Sequence, residues 1–172
     1  MPSTANNPDV PDAITCRRAL PEDYPALGRM LELYQYELSD IWDQDLSPQG
    51  EYGYDLTEHA RGERFFAHVA LVAGRYAGFA LVGPAVVTQA EGQWMEQFFV
   101  MKKYRRTGVG TALAQHTLRG HPGPWEVGQI PDNLAASAFW RPVIGGLTSG
   151  QFEEVQVTEG WWQGRVQRFS VA

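Results

Sequence analysis

The chain has 172 residues, 44% hydrophobic and 12% aromatic, which fits one domain with a substantial core. Its net charge of −6 gives no general help to nucleic-acid binding, although residues 102–106 form a local basic patch. A single cysteine excludes an intrachain disulfide, and the lack of a long apolar run or signal-peptide core predicts a cytoplasmic protein without a membrane partner.

The first half of the chain predicts a tail, a strand, a helix, a long loop and a hairpin. Residues 1–12 hold three prolines, and we interpret them as a flexible tail before one domain at residues 13–172. A short strand is predicted at 13–18, and Pro21 begins a helix whose apolar periodicity lasts to about Ser39. The acidic and aromatic stretch that follows predicts loop with short helical turns. The apolar runs 65–72 and 76–82 are then joined through a glycine turn, which predicts a hairpin.

The second half alternates strands and helices before a closing hairpin. A strand at 94–101 leads through a glycine turn into a helix that ends near Arg119, and a short strand follows at 125–130. Asp132 or Asn133 caps a helix to about Ile144, in which Pro142 predicts an early stop or a kink. The runs 152–157 and 165–171 form the last hairpin. This order predicts an α/β fold of the α+β type, with a mixed sheet covered by helices.

The turn after residue 101 is the most informative segment of the chain. Arg105-x-x-Gly108-x-Gly110 opens a helix, whose first amides and positive dipole end suit a phosphate or pyrophosphate. The two glycines let backbone approach a ligand, and Arg105 and Arg106 add charge-assisted donors. Neither a dinucleotide fingerprint nor a mononucleotide P-loop matches this segment. An ordinary strand-to-helix turn is the structural alternative.

The strand, the [RQ]-x-x-G-x-[GA] loop and the helix together resemble motif A of the GNAT N-acetyltransferases. The order of strands and helices is also similar to theirs over nearly the whole chain. The resemblance implies a mixed, mostly antiparallel central sheet flanked by helices, with acetyl-CoA as cosubstrate. It implies that the loop amides hold the pyrophosphate and that backbone near Phe99 and Val100 polarises the thioester. The residues assigned to acetyl-CoA here are Phe98, Phe99, Val100, Arg105, Arg106, Thr107, Gly108, Val109, Gly110 and Thr111.

A second segment, Asn133-x-x-Ala136-x-x-x-Trp140, is similar to the N-x-x-A-x-x-x-Y pattern of many GNAT members. The resemblance assigns all three residues to the CoA arm, with Asn133 as a contact and Ala136 leaving room for pantetheine. Asn133 could equally be a helix cap, and Ala136 a small core residue. Trp140 departs from the family pattern, because an indole N–H cannot replace the tyrosine that protonates the leaving thiolate.

Glu96 is the predicted catalytic base. It lies on the strand before the glycine turn, and alternation along that strand places it on one face with Phe98 and Val100. A glutamate of several GNAT members resembles it in place and role. The alternative is a carboxylate that is partly solvated or paired with an arginine. The four histidines show no metal-ligand spacing, so a zinc site is not predicted.

The acceptor is predicted from the segment between the first helix and the hairpin. Aromatic residues and acids interleave there, which favours a cationic amine, or else a solvated acidic loop anchored by its aromatics. The residues concerned are Tyr34, Tyr36, Trp42, Tyr52, Tyr54, Asp40, Asp43, Asp45 and Glu51. The hypothesis is an acetyl-CoA-dependent N-acetyltransferase for a small cationic amine. Its alternatives are a silent acyl-CoA-binding or sensor module and a protein acetyltransferase. No nucleic-acid partner is expected, and a homodimer stays open.

Overall fold

The computed structural model describes residues 13–172, so the predicted tail at residues 1–12 lies outside the described residues. Within the described part, seven strands form one sheet. The strands are β1 (Ile14–Arg18), β2 (Phe66–Val72), β3 (Arg75–Gly83), β4 (Gln93–Val100), β5 (Gly123–Gln129), β6 (Phe152–Val157) and β7 (Gly164–Val171). The α-helices are α1 (Tyr24–Leu38), α2 (Thr57–Arg61), α3 (Val109–Arg119) and α4 (Leu134–Thr148). None of these helices is long and apolar enough to cross a membrane.

The sheet consists of two antiparallel parts joined by one short parallel contact. Its order is β1-β2-β3-β4-β5-β7-β6, and only the pair β4–β5 is parallel. That pair has two register positions, Gln93 with Trp125 and Trp94 with Glu126. Beyond Trp94 the strand β4 pairs only with β3, so β4 and β5 separate after that residue. The predicted mixed, mostly antiparallel sheet flanked by helices is confirmed.

Side-chain alternation along the central strands divides the core between the two faces of the sheet. Phe79 and Leu81 of β3 face α1, where they pack with Leu27 and Leu31. Ala80 and Val82, one residue further along in each case, belong to the cluster that contains α3 and α4. The sheet is therefore covered on both faces, with α1 on one side and the two later helices on the other.

Helix α4 continues through Pro142 to Thr148, past the predicted end near Ile144, so the early stop that Pro142 suggested does not occur. Proline removes one backbone hydrogen bond from a helix interior and normally disfavours continuation. Here Pro142 is exposed, while Trp140, Val143 and Ile144 around it are buried against the sheet. Tertiary packing of that buried face holds the helix across the proline, a contribution that local sequence does not reveal.

Candidate active site

A cleft of about 880 Å³ lies beside the point where β4 and β5 stop pairing. One wall is β4 from Trp94 to Val100, and the opposite wall is the end of β5 from Val127 to Gln129. The glycine turn and the first half of α4 border the cleft as well. Of the fourteen residues that the sequence nominated for the site, only Thr107 and Val109 do not line it.

Gly108 begins α3 in a conformation that glycine adopts readily. Its φ is 90°, and a Cβ added there would meet only Ile14 Cδ1, at 4.0 Å. The first helical hydrogen bond runs from Ala112 N to Gly108 O at 3.0 Å. The three preceding amides, 109–111, consequently have no acceptor within the helix and form its positive end. Such a helix start can bind an anion.

The two arginines of the turn have different surroundings. Arg105 donates from Nε to Val100 O at 2.8 Å and pairs through both terminal nitrogens with the carboxylate of Glu37, at 2.7 and 2.6 Å. This pairing ties the turn to α1 and lowers the pKa of Glu37. The Arg105 guanidinium therefore donates to protein acceptors, whereas we expected it to donate to a phosphate. Arg106 is exposed, lines the cleft and makes no ion pair within residues 13–172.

Gly110 and Asn133 serve the packing of α3 and α4 as well as bordering the cleft. A Cβ on Gly110 would lie 3.1 Å from Phe139 Cε2, so glycine lets the two helices approach. Asn133 Oδ1 accepts a hydrogen bond from Ala136 N at 3.1 Å and caps α4, in agreement with the cap interpretation. The buried Val109 side chain belongs to the core, and Thr107 donates its hydroxyl to Tyr104 O at 2.6 Å.

Trp140 is a wall of the cleft that packs among aromatic rings. It is 4% exposed, and its ring centroid lies 4.8 Å from that of Phe98 and 5.1 Å from that of Phe139. Phe98 also stacks on Phe139 at 5.3 Å. The indole fills space between β4 and α4, and its chemistry excludes general-acid work near neutral pH.

Glu96 lies at a β-bulge. Leu81 pairs with Gln97 and Val82 with Met95, so Glu96 has no partner on β3. The bulge interrupts the alternation, and the prediction that Glu96 shares a face with Phe98 and Val100 fails for that reason. Its carboxylate turns instead toward α2, where Glu96 Oε2 lies 2.8 Å from His59 Nε2.

His59 is a site neighbour that sequence reasoning missed. It lies 37 residues before Glu96, within a five-residue helix, and its side chain is 4% exposed. The predicted alternative for Glu96 was a carboxylate partly solvated or paired with an arginine, and the structure pairs this partly exposed carboxylate with a histidine. No local signal pairs these two residues, because the contact depends on the bulge and on how the loop before α2 folds back.

The aromatic and acidic residues of the predicted acceptor segment separate in the structure. Tyr34, Trp42 and Tyr54 line the cleft, whereas Tyr36, Tyr52 and the acids between residues 40 and 51 do not. The structure adds Trp94, Trp161 and Trp162, which come together at 5.2–5.5 Å between ring centroids. We call these six lining residues the aromatic wall. The solvated-loop interpretation of the acids agrees with this arrangement.

Three histidines form a second polar cluster away from the cleft, between β2 and α3. His68 Nε2 lies 2.8 Å from His121 Nε2, and the rings of His68 and His116 are 5.3 Å apart. Burial and the neighbouring imidazoles lower the pKa of His68 to about 3. Among the residues that the structure describes, no three His, Cys, Asp or Glu side chains are arranged to hold a metal ion.

Comparison with solved structures shows the same fold in several acetyltransferases. An acetyltransferase from Thermus thermophilus is 15% identical, with a TM-score of 0.63 over 92% of this chain and 97% of its own. Ribosomal-protein-alanine N-acetyltransferase from Brucella melitensis is 21% identical, with a TM-score of 0.61 over 91% and 99%. PaiA N-acetyltransferase from Thermoplasma acidophilum, solved in complex with coenzyme A, is 12% identical, with a TM-score of 0.60 over 92% and 99%.

Sequence comparison identifies the family independently of these structures. No curated protein matches the chain significantly. Residues 29–141 match the model of the acetyltransferase (GNAT) family, and this match covers more than half of the chain. The matched segment contains the glycine turn, β4 and most of the cleft. The chain therefore belongs to the GNAT acetyltransferase family, as its motifs predicted.

Proposed function

We propose that this GNAT N-acetyltransferase moves an acetyl group from acetyl-CoA to the amine of a small cationic molecule bound at the aromatic wall. Acetyl-CoA dependence and N-acetyl transfer follow from the family. The acceptor class, the binding residues and the catalytic base are our proposal. The observation that carries it is one cleft bordered by the glycine turn, by Glu96 and by the aromatic wall.

The cofactor end of the proposal rests on the start of α3. The amides of residues 109–111 have no acceptor within the helix, a Cβ on Gly108 would meet only Ile14, and Arg106 adds an exposed cation. These groups suit the pyrophosphate of CoA. Beyond Trp94 the backbone of β4 has no β5 partner, so amides near Phe99 and Val100 are candidates to polarise the thioester carbonyl. Asn133, Ala136 and Trp140 would border the pantetheine arm.

The chemistry assigned to Glu96 is removal of a proton from the acceptor. A free alkylamine is mostly protonated at pH 7 and must lose a proton before its nitrogen attacks the thioester carbonyl. Glu96 takes that proton directly or through water, and the nitrogen then bonds to the carbonyl carbon. The C–S bond breaks, the sulfur departs as thiolate, and the second proton of the nitrogen passes to solvent. Because a free thiol has a pKa of about 8.5, the thiolate can leave without an acid, and Trp140 need not supply one.

The aromatic wall is the basis for the acceptor class. Tryptophan and tyrosine faces attract cations by about 0.5–2 kcal/mol each, depending on solvation. Tyr54 stays neutral because burial, with Glu96 nearby, raises its pKa to about 12. Trp161 is 63% exposed, so this part of the wall is open to solvent. A small amine with a flat or cationic body matches these surfaces better than an anionic one does.

An acceptor panel tests this proposal. We would measure thiol release from acetyl-CoA with small cationic amines, neutral amines, acidic amino acids and a peptide with an N-terminal alanine. Small cationic amines should give the highest kcat/KM. Equal turnover of acidic and cationic acceptors would contradict the proposed class, and preference for the peptide would favour the protein-modifying alternative. If acetyl-CoA binds but no acceptor of the panel gives thiol release, the silent binding module would be favoured.

A further inference from the structure

We propose that His59 is a positioning residue for Glu96, holding the carboxylate ready to accept a proton by donating a hydrogen bond from Nε2. The inference rests on the proposed role of Glu96 as base and extends it to a residue of α2. It concerns a contact that brings together two segments 37 residues apart along the chain.

The pair is well built for that role. His59 Nε2 and Glu96 Oε2 are 2.8 Å apart, with His59 buried and Glu96 18% exposed on the cleft wall. The backbone of His59 is tied down by the Tyr24 hydroxyl, which donates to its carbonyl at 2.8 Å. The ring lies against Phe65 at 5.4 Å and Tyr54 at 6.4 Å between centroids. His59 is thus fixed on several sides, while Glu96 is fixed mainly by His59.

The other imidazole nitrogen indicates which tautomer is present. His59 Nδ1 is buried and has no hydrogen-bond partner within the described residues. A proton on Nδ1 would be a buried donor without an acceptor, which is costly. Nδ1 therefore carries the lone pair and Nε2 carries the proton, so the neutral ring donates to the carboxylate. The same buried Nδ1 gives no path for relaying a proton onward from Glu96.

Few other charged side chains lie near the pair formed by His59 and Glu96. Tyr54, from the loop before α2, is neutral at ordinary pH, as its raised pKa indicates. Asp55 also precedes α2, and its carboxylate is exposed and held by Thr57. Phe65, before β2, adds only an apolar surface. His59 is therefore the main donor to Glu96 among these neighbours, and a hydrogen bond to a carboxylate favours its ionised form.

Two substitutions at residue 59 separate positioning from packing. His59→Leu removes the donor, so kcat should fall roughly tenfold or more, the scale of one hydrogen bond to a charged group. The acidic limb of the pH–rate profile should move to higher pH, because a hydrogen bond that stabilises a carboxylate charge is lost. The KM for acetyl-CoA should stay near wild type. His59→Gln can place an amide N–H where Nε2 lies and should restore most of kcat and the wild-type limb.

Nitrogen NMR of the imidazole, recorded without substrate, gives a readout that needs no activity. We expect an unprotonated Nδ1 and a protonated Nε2 in the wild-type protein, and thermal denaturation would confirm that both variants are folded. A protonated Nδ1, or a folded His59→Leu protein with the wild-type pH profile, would overturn this inference alone. Equal losses in the Leu and Gln variants would do the same. Wild-type protein that releases no thiol would overturn the proposed function and, with it, this inference.

Discussion

Two buried histidines in this molecule each have a partner 2.8 Å from Nε2, but the two partners differ in chemical type. At the cleft, His59 Nε2 lies 2.8 Å from a carboxylate that faces the cavity. Between β2 and α3, His68 Nε2 lies 2.8 Å from another imidazole, and a third ring packs beside them. The first contact holds a carboxylate on the wall of the cleft. The second fills a gap between a strand and a helix.

This difference indicates that the role of a buried histidine depends on the group that it contacts. A carboxylate offers only acceptor oxygens, so an imidazole beside it can act as the donor. Neighbouring imidazoles instead disfavour one another's protonation, and burial lowers the pKa of His68, His116 and His121 alike. The cluster is therefore expected to be neutral in the folded protein at pH 7. Protonating these histidines in acid therefore destabilises the folded protein.

The largest expected effect is a loss of turnover, and it should distinguish a substitution in the cleft from one elsewhere in the structure. Glu96→Gln keeps the shape and an oxygen for His59 but removes the base, so turnover should fall by roughly 10² to 10⁴. Acetyl-CoA binding and thermal stability should be nearly unchanged. Glu153→Gln on β6 is a matched control, because this exposed glutamate pairs with Arg168 away from the cleft. Wild-type turnover in Glu96→Gln would remove Glu96 from the mechanism.

The next largest effect tests the proposed cofactor end of the cleft. Gly108→Asp places a carboxylate directly before α3, at a φ of 90° that strains any residue other than glycine. Like charges should lower the affinity for CoA by roughly a hundredfold, as measured by calorimetry. Gly50→Asp controls for backbone strain, since Gly50 has a similar φ of 77° in an exposed turn with open space around it. Unchanged affinity in Gly108→Asp would contradict the proposed pyrophosphate site.

The smallest expected effect belongs to the histidine cluster and is one of stability. Below pH 6.5 the unfolded chain binds a proton at residue 68, whereas the folded protein does not until about pH 3. Stability should therefore fall as the pH falls through this window, by about 1.4 kcal/mol at pH 5.5 for this residue. His68→Gln should lose less stability between pH 7.5 and 5.5 in urea unfolding. The half-exposed His116 offers a comparison, and His116→Gln should give a smaller difference. Equal pH dependence in wild type and His68→Gln would contradict the idea.

Sequence reasoning succeeded where the signal was local. The glycine turn, the helix after it and the Asn133 cap depend on neighbouring residues, and so does the order of strands and helices that indicated the fold. It failed where tertiary contacts decide. Packing carries α4 past Pro142, and the bulge at Glu96 shows only when β4 is aligned with β3. The pairing of Arg105 with Glu37 joins residues 68 apart along the chain, and the aromatic wall draws on three distant segments.

The distribution of tryptophan has a spectroscopic consequence. All six tryptophans lie within residues 13–172, and five of them line the cleft: Trp42, Trp94, Trp140, Trp161 and Trp162. The sixth, Trp125, is fully buried, with its indole N–H bonded to His121 O at 2.7 Å. Five of the six tryptophans thus surround the proposed binding space. The emission of the unlabelled protein is in large part a property of its cleft, so occupancy of either end can be followed without a reporter dye.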